Sequence, residues 1–116
     1  MATSTQSLAA VERLHDEFGF RYDELAQALN TNDATLHRWR GRTGGELTPV
    51  YRKRLEALDA FLEELDALFA EQASARAWLD RSLSVLKGQT PRAMILAGHV
   101  DRVTGILYAL NAGVSL

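Results

Sequence analysis

Arg38, Arg40 and Arg42 recur at two-residue intervals, with His37 beside them and Asn32, Asp33 and Thr35 just before. A guanidinium matches phosphate oxygens and the O6/N7 edge of guanine, and short polar side chains match base edges and backbone groups. His37 is suited to a hydrogen bond to a base, and Asp33, unfavourable beside phosphate, can accept from cytosine. This pattern points to nucleic acid. The residue types of catalysis are not assembled in a comparable way. His15, His37 and His99 lie in separate elements without metal-ligand spacing. The chain has no cysteine, so no disulfide or thiolate metal site can form. No phosphate loop or Ser-His-Asp motif is present, and Glu63-Glu64 reads as a solvated helix face rather than an acid/base pair. The sequence therefore predicts no enzyme, no cofactor and no metal site.

Recognition of a base edge requires a helix to carry these residues. Tyr22 to Leu29 and Asp33 to Arg40 both read as short helices, separated by Asn30-Thr31-Asn32. Two short helices crossing steeply need a small residue at the crossing, which Ala26 supplies, and apolar anchors, supplied by Leu25, Leu29, Leu36 and Trp39. Asn30 is placed to take a left-handed backbone, and Asn32 to cap the second helix. With Leu36 and Trp39 inward, Asp33, Ala34, His37, Arg38 and Gly41 face outward, flanked by Arg40 and Arg42. The run Asn-Asp-Ala-Thr-Leu-His-Arg-Trp resembles the recognition helix of Xre and related phage-repressor families. The DNA-binding residues expected are Asn32, Asp33, Thr35, His37, Arg38, Arg40 and Arg42, with Arg52, Lys53 and Arg54 adding backbone contacts. The same module can also act as an interaction scaffold.

The remaining sequence is helical too, so the fold class predicted is all-α. A first helix over about Ser7–Phe18 turns Leu8, Val11, Leu14, His15 and Phe18 to one face, and Gly19 stops it. Both prolines, Pro49 and Pro91, follow a threonine, the arrangement of an N-cap and first helical residue. A long helix from Pro49 to about Ala70 carries Tyr51, Leu55, Leu58, Leu62, Leu65 and Phe69 in alternating steps of four and three, widened by Phe61 and Leu68. We read this seam as core-facing rather than as a free coiled coil, with part of the Tyr51–Phe69 face serving a homodimer. Charge divides here: residues 34–55 are basic and 56–71 acidic. A helix over Ser74–Leu79 follows, then an irregular Asp80–Gln89, a helix from Thr90-Pro91 to Leu96, a break at Gly98, a helix over Val100–Leu110 and a tail from Asn111. These divide into a helix-turn-helix module (1–47), a linking or dimerisation helix (48–72) and a C-terminal module (73–116). Trp39 and Trp78 are expected to be buried, one at each end. The 116-residue chain is 47% hydrophobic with a net charge of −2. No apolar run approaches the roughly 18 residues of a membrane span, and Met1–Ser7 has neither a basic start nor an apolar run. These features predict a cytoplasmic protein without membrane contact.

The C-terminal third carries a longer pattern: Ala77-Trp78-Leu79, then Leu86-Lys87-Gly88-Gln89-Thr90-Pro91, Gly98, Val103, Leu107, Leu110 and Gly113. In this order it resembles the toxin-binding domain of the Xre/MbcA/ParS antitoxin family, and the helix-turn-helix and long helix match that family's N-terminal part. The chain departs from the family in reading Asp-Arg-Ser-Leu-Ser-Val after Trp-Leu, and in carrying His99 and Asp101 where a glutamate is usual. The resemblance implies an antitoxin of a type II toxin–antitoxin system. Its partner would be a RES-family toxin that consumes NAD, its C-terminal module would cover the toxin's active site, and its helix-turn-helix would bind operator DNA and autoregulate the operon. A homodimer and a hetero-oligomer with toxin are expected. The residues placed toward the toxin are Lys87 and Arg92, flanking the Gly88 loop, and the tail Asn111, Ala112, Gly113, Val114, Ser115 and Leu116. Two other readings fit the residues: a stand-alone helix-turn-helix repressor, and a protein-interaction adaptor with a degenerate helix-turn-helix.

Overall fold

Capping chemistry sets the element boundaries. The computed structural model describes residues 3–41 and 48–115; Arg42 and Leu116 lie outside them. The described residues form α1 (Thr3–Phe18), α2 (Tyr22–Ala28), α3 (Asp33–Arg40), α4 (Pro49–Leu68), α5 (Gln72–Leu79), a single 3-10 turn (Ser84–Leu86), α6 (Pro91–Leu96) and α7 (Val100–Asn111). The hydroxyls of Thr48 and Thr90 accept from the backbone N–H of Tyr51 and Ala93 at 3.4 and 3.0 Å. Each therefore satisfies a donor that the first turn leaves unpaired, with proline at the next position. The ends are equally explicit. Asn30, Gly98 and Gly113 have φ of +57°, +91° and +86°. Beyond each, the following N–H reaches back across the last turn: Thr31 to the Ala26 carbonyl, His99 to Met94 and Val114 to Ala109, all at 2.9 Å. This is the Schellman closure, with asparagine replacing glycine in the turn between α2 and α3.

α4 organises the packing. Leu55, Leu58, Phe61, Leu62 and Leu65 are buried along it, covered by α7 on one side and α1 on the other. Five such side chains, at roughly 1.5–3 kcal/mol each, are comparable to the typical whole stability of a small domain, about 5–15 kcal/mol. The seam is thus intramolecular, as its breadth suggested. Most of the Tyr51–Phe69 face, part of which was expected to serve a homodimer, is thus inside the chain's own core. Phe69 has also left the helix, with extended φ/ψ of −115°/119°, and its ring packs 6.0 Å from that of Trp78.

The N-terminal, linking and C-terminal segments contribute to a single connected hydrophobic cluster, which contains both Trp39 and Trp78. The main differences from the sequence reading are local. α1 begins earlier, at Thr3; α5 begins at Gln72; the stretch Asp80–Gln89 contains the 3-10 turn; and Asn111 belongs to α7 rather than to a tail.

The connected core generates a prediction. Trp78→Ala should cost about 3–5 kcal/mol, and the loss should be felt at the far end. With only two tryptophans in the chain, Trp39 alone reports by fluorescence in that variant. Its denaturation midpoint should fall together with the circular dichroism signal; an unmoved Trp39 transition would show that the N-terminal half folds independently.

Candidate nucleic-acid interface and partner surface

The turn after α2 sets the angle of α3, and the Asn32 cap fixes its start. The Asn32 side chain accepts from the Thr35 N–H at 2.8 Å. Leu36 and Trp39 are buried, and Trp39 meets Tyr51 of α4 edge-on at 5.0 Å. That orientation leaves Asn32, Asp33, Ala34, His37, Arg38 and Gly41 exposed on the outer face, with Thr35 half-buried. The candidate DNA-reading residues therefore share one surface, with two exceptions. Arg42 lies outside the described residues.

Arg40 is the second exception: its side chain is 27% exposed and is paired within the chain. Its Nε donates to Glu12 Oε2 at 2.6 Å, its Nη2 donates to the Tyr22 hydroxyl at 2.9 Å, and its guanidinium lies 3.7 Å from the Tyr22 ring centroid. The Tyr22 hydroxyl in turn donates to Glu12 Oε1 at 2.6 Å. The Arg40 hydrogen bond holds the Glu12 carboxyl below its ordinary range, and the same bond raises the guanidinium. Tyr22 is pushed up, first by desolvation and then by its bond to Glu12. His15 stacks on the other partner of this group, its ring 3.9 Å from that of Tyr22, with Nδ1–H donating to the Phe20 carbonyl at 2.7 Å. Arg40, expected as a flanking contact to DNA, thus has a carboxylate partner supplied from within the chain.

The basic start of α4 divides similarly. Arg52 and Lys53 are exposed, whereas Arg54 Nη1 donates to the Leu29 carbonyl at 3.0 Å, capping the end of α2. Further along α4 the acidic block lines an outer flank. There desolvation, followed by the like charges of Glu56 and Glu63, raises the Asp59 carboxyl.

The C-terminal module sorts its predicted residues in the same way. Lys87 is exposed, in a left-handed backbone at φ +57°. Arg92, expected at a rim, is a structural clamp: Nη2 donates to the Phe18 carbonyl at 2.8 Å, Nε pairs with Asp80 at 2.8 Å, and the guanidinium lies 4.5 Å from the Phe20 ring. The Asn111 amide donates to the carbonyl and side chain of Glu64, both at 3.0 Å, so it ties α7 to α4. Ala112, Gly113, Val114 and Ser115 are exposed, and Leu116 lies outside the described residues. Four large apolar side chains are exposed among the described residues: Tyr108 (66%), Val50 (56%), Val114 (49%) and Val85 (39%), all but Val50 in the C-terminal module. Val85 borders a depression lined also by Trp78, Leu83, Ile106 and Leu110. Tyr108 was missed by the sequence reading, although its position opposite Val103, Ile106, Leu107 and Leu110 on α7 was the signal. Exposed aromatic and aliphatic groups of this kind suit a protein partner.

Residues 5–63 match the family model of the antitoxin Xre-like helix-turn-helix domain. The chain is also similar to one in the crystal structure of the M. tuberculosis MbcT–MbcA toxin–antitoxin complex, with a TM-score of 0.69 and 22% identity, over 100% of this chain and 99% of that one. At that identity the likeness is one of fold. No curated protein matches the chain.

The contrast between Lys87 and Arg92 is testable by mutation. Arg92→Ala removes charge-assisted bonds to a helix end and should cost roughly 1.5–3 kcal/mol of stability. Lys87→Ala should stay within about 0.5 kcal/mol of the parent. Urea denaturation of the two variants checks this, and equal effects would contradict the clamp.

Proposed function

Since the chain belongs to the antitoxin Xre-like helix-turn-helix family, we propose that it is the antitoxin of a type II toxin–antitoxin pair, holding its toxin through the C-terminal module and operator DNA through α3. The observation that carries this reading is the presence, on one core, of two exposed surfaces of different chemistry. One is the polar outer face of α3 with His37 and Arg38; the other is the apolar group around Tyr108 and Val114.

On the resemblance of the Trp-Leu and Gly-x-Thr-Pro pattern, the toxin is a RES-family enzyme that consumes NAD. Neutralisation then consists of covering its active site, and catalysis is no part of this chain's work. Val114 and Tyr108 serve as apolar anchors, with Lys87, Ala112, Gly113 and Ser115 around them. Arg92 and Asn111 tie the module to α1 and α4 through their own hydrogen bonds. Operator binding autoregulates the operon: Arg38 reads a base edge, and Asn32, Asp33, Thr35 and His37 line the same face. A helix-turn-helix gains useful affinity from two copies on adjacent half-sites. Such pairing would use a surface other than the α4 seam.

Two variants separate the halves of this reading. Tyr108→Ala combined with Val114→Asp alters only exposed side chains. It should leave the melting temperature and promoter binding intact but weaken toxin binding by about 30-fold, the equivalent of a 2 kcal/mol hot spot. Arg38→Ala should show the reverse, weakening promoter binding by roughly 1–3 kcal/mol while still protecting cells from the co-expressed toxin. Full protection and full toxin affinity in the first variant would remove this surface from the interface. Unchanged gel shifts in the second would remove α3.

A further inference from the structure

The Glu12–Tyr22–Arg40 group lies at the edge of the recognition surface, and its geometry bears on how selective that surface is. Arg40 belongs to α3, yet its guanidinium meets a carboxylate of α1 at 2.6 Å and lies flat on a tyrosine of α2 at 3.7 Å. Asp33 and His37 line the same depression as Tyr22 and Arg40. The opposite side of α3 faces the start of α4, where Arg38 borders a depression with Thr35, Thr48 and Tyr51.

We propose that Glu12 is a specificity-determining residue of DNA binding: it retains the Arg40 guanidinium in an intrachain ion pair and so withholds that charge from DNA phosphates. The proposal rests on the DNA-binding reading above. A lysine or arginine that reaches a phosphate adds affinity for every sequence alike, because it releases condensed counterions, whereas only base-edge contacts discriminate. A mobile cation beside the base-reading residues would strengthen non-specific binding as much as specific binding. The bond to Glu12, the bond to Tyr22 and the ring stack together give Arg40 preorganised partners that a phosphate must displace. Discrimination is left to Arg38 and its neighbours on the outer face.

The test is fluorescence anisotropy with the full chain, titrated against promoter DNA and a random-sequence duplex at several salt concentrations. Glu12→Gln removes the charge but keeps an oxygen that can accept from Arg40. It should tighten binding to random DNA, lower the promoter-to-random ratio and steepen the dependence of log K on log salt by about 0.9, one phosphate contact. Arg40→Gln should leave that slope unchanged, because Arg40 makes no phosphate contact in the parent. A loosened fold would instead weaken binding to both duplexes without steepening the slope. A slope shallower by about 0.9 in Arg40→Gln, or an unchanged slope and ratio in Glu12→Gln, overturns the proposal while leaving the DNA-binding reading intact. If Glu12→Gln does not fold, the Arg40→Gln slope decides alone. If the parent shows no salt-dependent binding to either duplex, the DNA-binding reading fails and this proposal with it.

Discussion

The breadth of the apolar stripe on α4 is the constraint on which the rest of the structure depends. Leu55, Leu58, Phe61, Leu62 and Leu65 occupy more of the helix circumference than one neighbouring helix can shield. α1 covers one side and α7 the other. Since α1 leads into the helix-turn-helix and α7 closes the C-terminal module, both ends of the chain are held by the same helix. A linking helix with an exposed seam would have left two modules free to move. A buried one makes them two sides of a single hydrophobic core.

A second junction secures this arrangement at the C-terminal end of α1, where backbone carbonyls lack partners within the helix. Donors from distant segments meet them: the Gln72 amide bonds the Glu17 carbonyl at 3.0 Å and Arg92 bonds the Phe18 carbonyl at 2.8 Å. A cation at a helix C-terminus is also favoured by the helix dipole. The chain must pass close to these groups, and Gly19 allows it. Its φ of +75° is a backbone conformation that disfavours other residues. From the other direction, the Gln27 side chain of α2 bonds the Leu96 carbonyl at the end of α6, at 3.2 Å. The recognition helix is therefore positioned partly by residues that follow it by fifty or more positions.

This division between local and distant causes explains what could be read from the sequence. Helix starts at Thr48 and Thr90, the cap at Asn32 and the left-handed turn at Asn30 depend on residues within a few positions, and all were legible. The inward set on α3 and the core character of the α4 seam followed from periodicity alone. What the sequence did not reveal was which polar side chains are already occupied. Arg40 bonds Glu12 across 28 positions, Arg92 bonds the Phe18 carbonyl across 74, and Asn111 bonds Glu64 across 47. Each looked available for a ligand because an arginine or asparagine carries no sequence mark of its partner. Residue type alone cannot distinguish a buttress from a contact; only the tertiary neighbours can. The Asp80–Gln89 stretch was similarly opaque, since a single 3-10 turn has too few residues to establish a period.

The core also fixes which side chains stay outside, at α3 and at α7 alike. Arg38 and His37 stay outward on α3 because Leu36 and Trp39 fix the helix from below. Tyr108 stays outward on α7 because Val103, Ile106 and Leu107 hold the opposite face in the core. In both cases the burial of one face determines the exposure of the other, and α4 supports both. α7 packs on α4 directly, whereas α3 reaches it through α1, α2 and the edge contact of Trp39 with Tyr51 at 5.0 Å. Small displacements of α4 would be felt at both because a close-packed core yields little locally. Any influence of one ligand on the other must then appear as a difference in the packing free energy of the shared core, and by linkage it must be reciprocal. The buried seam of α4, rather than a flexible hinge, is where such an influence would have to be carried.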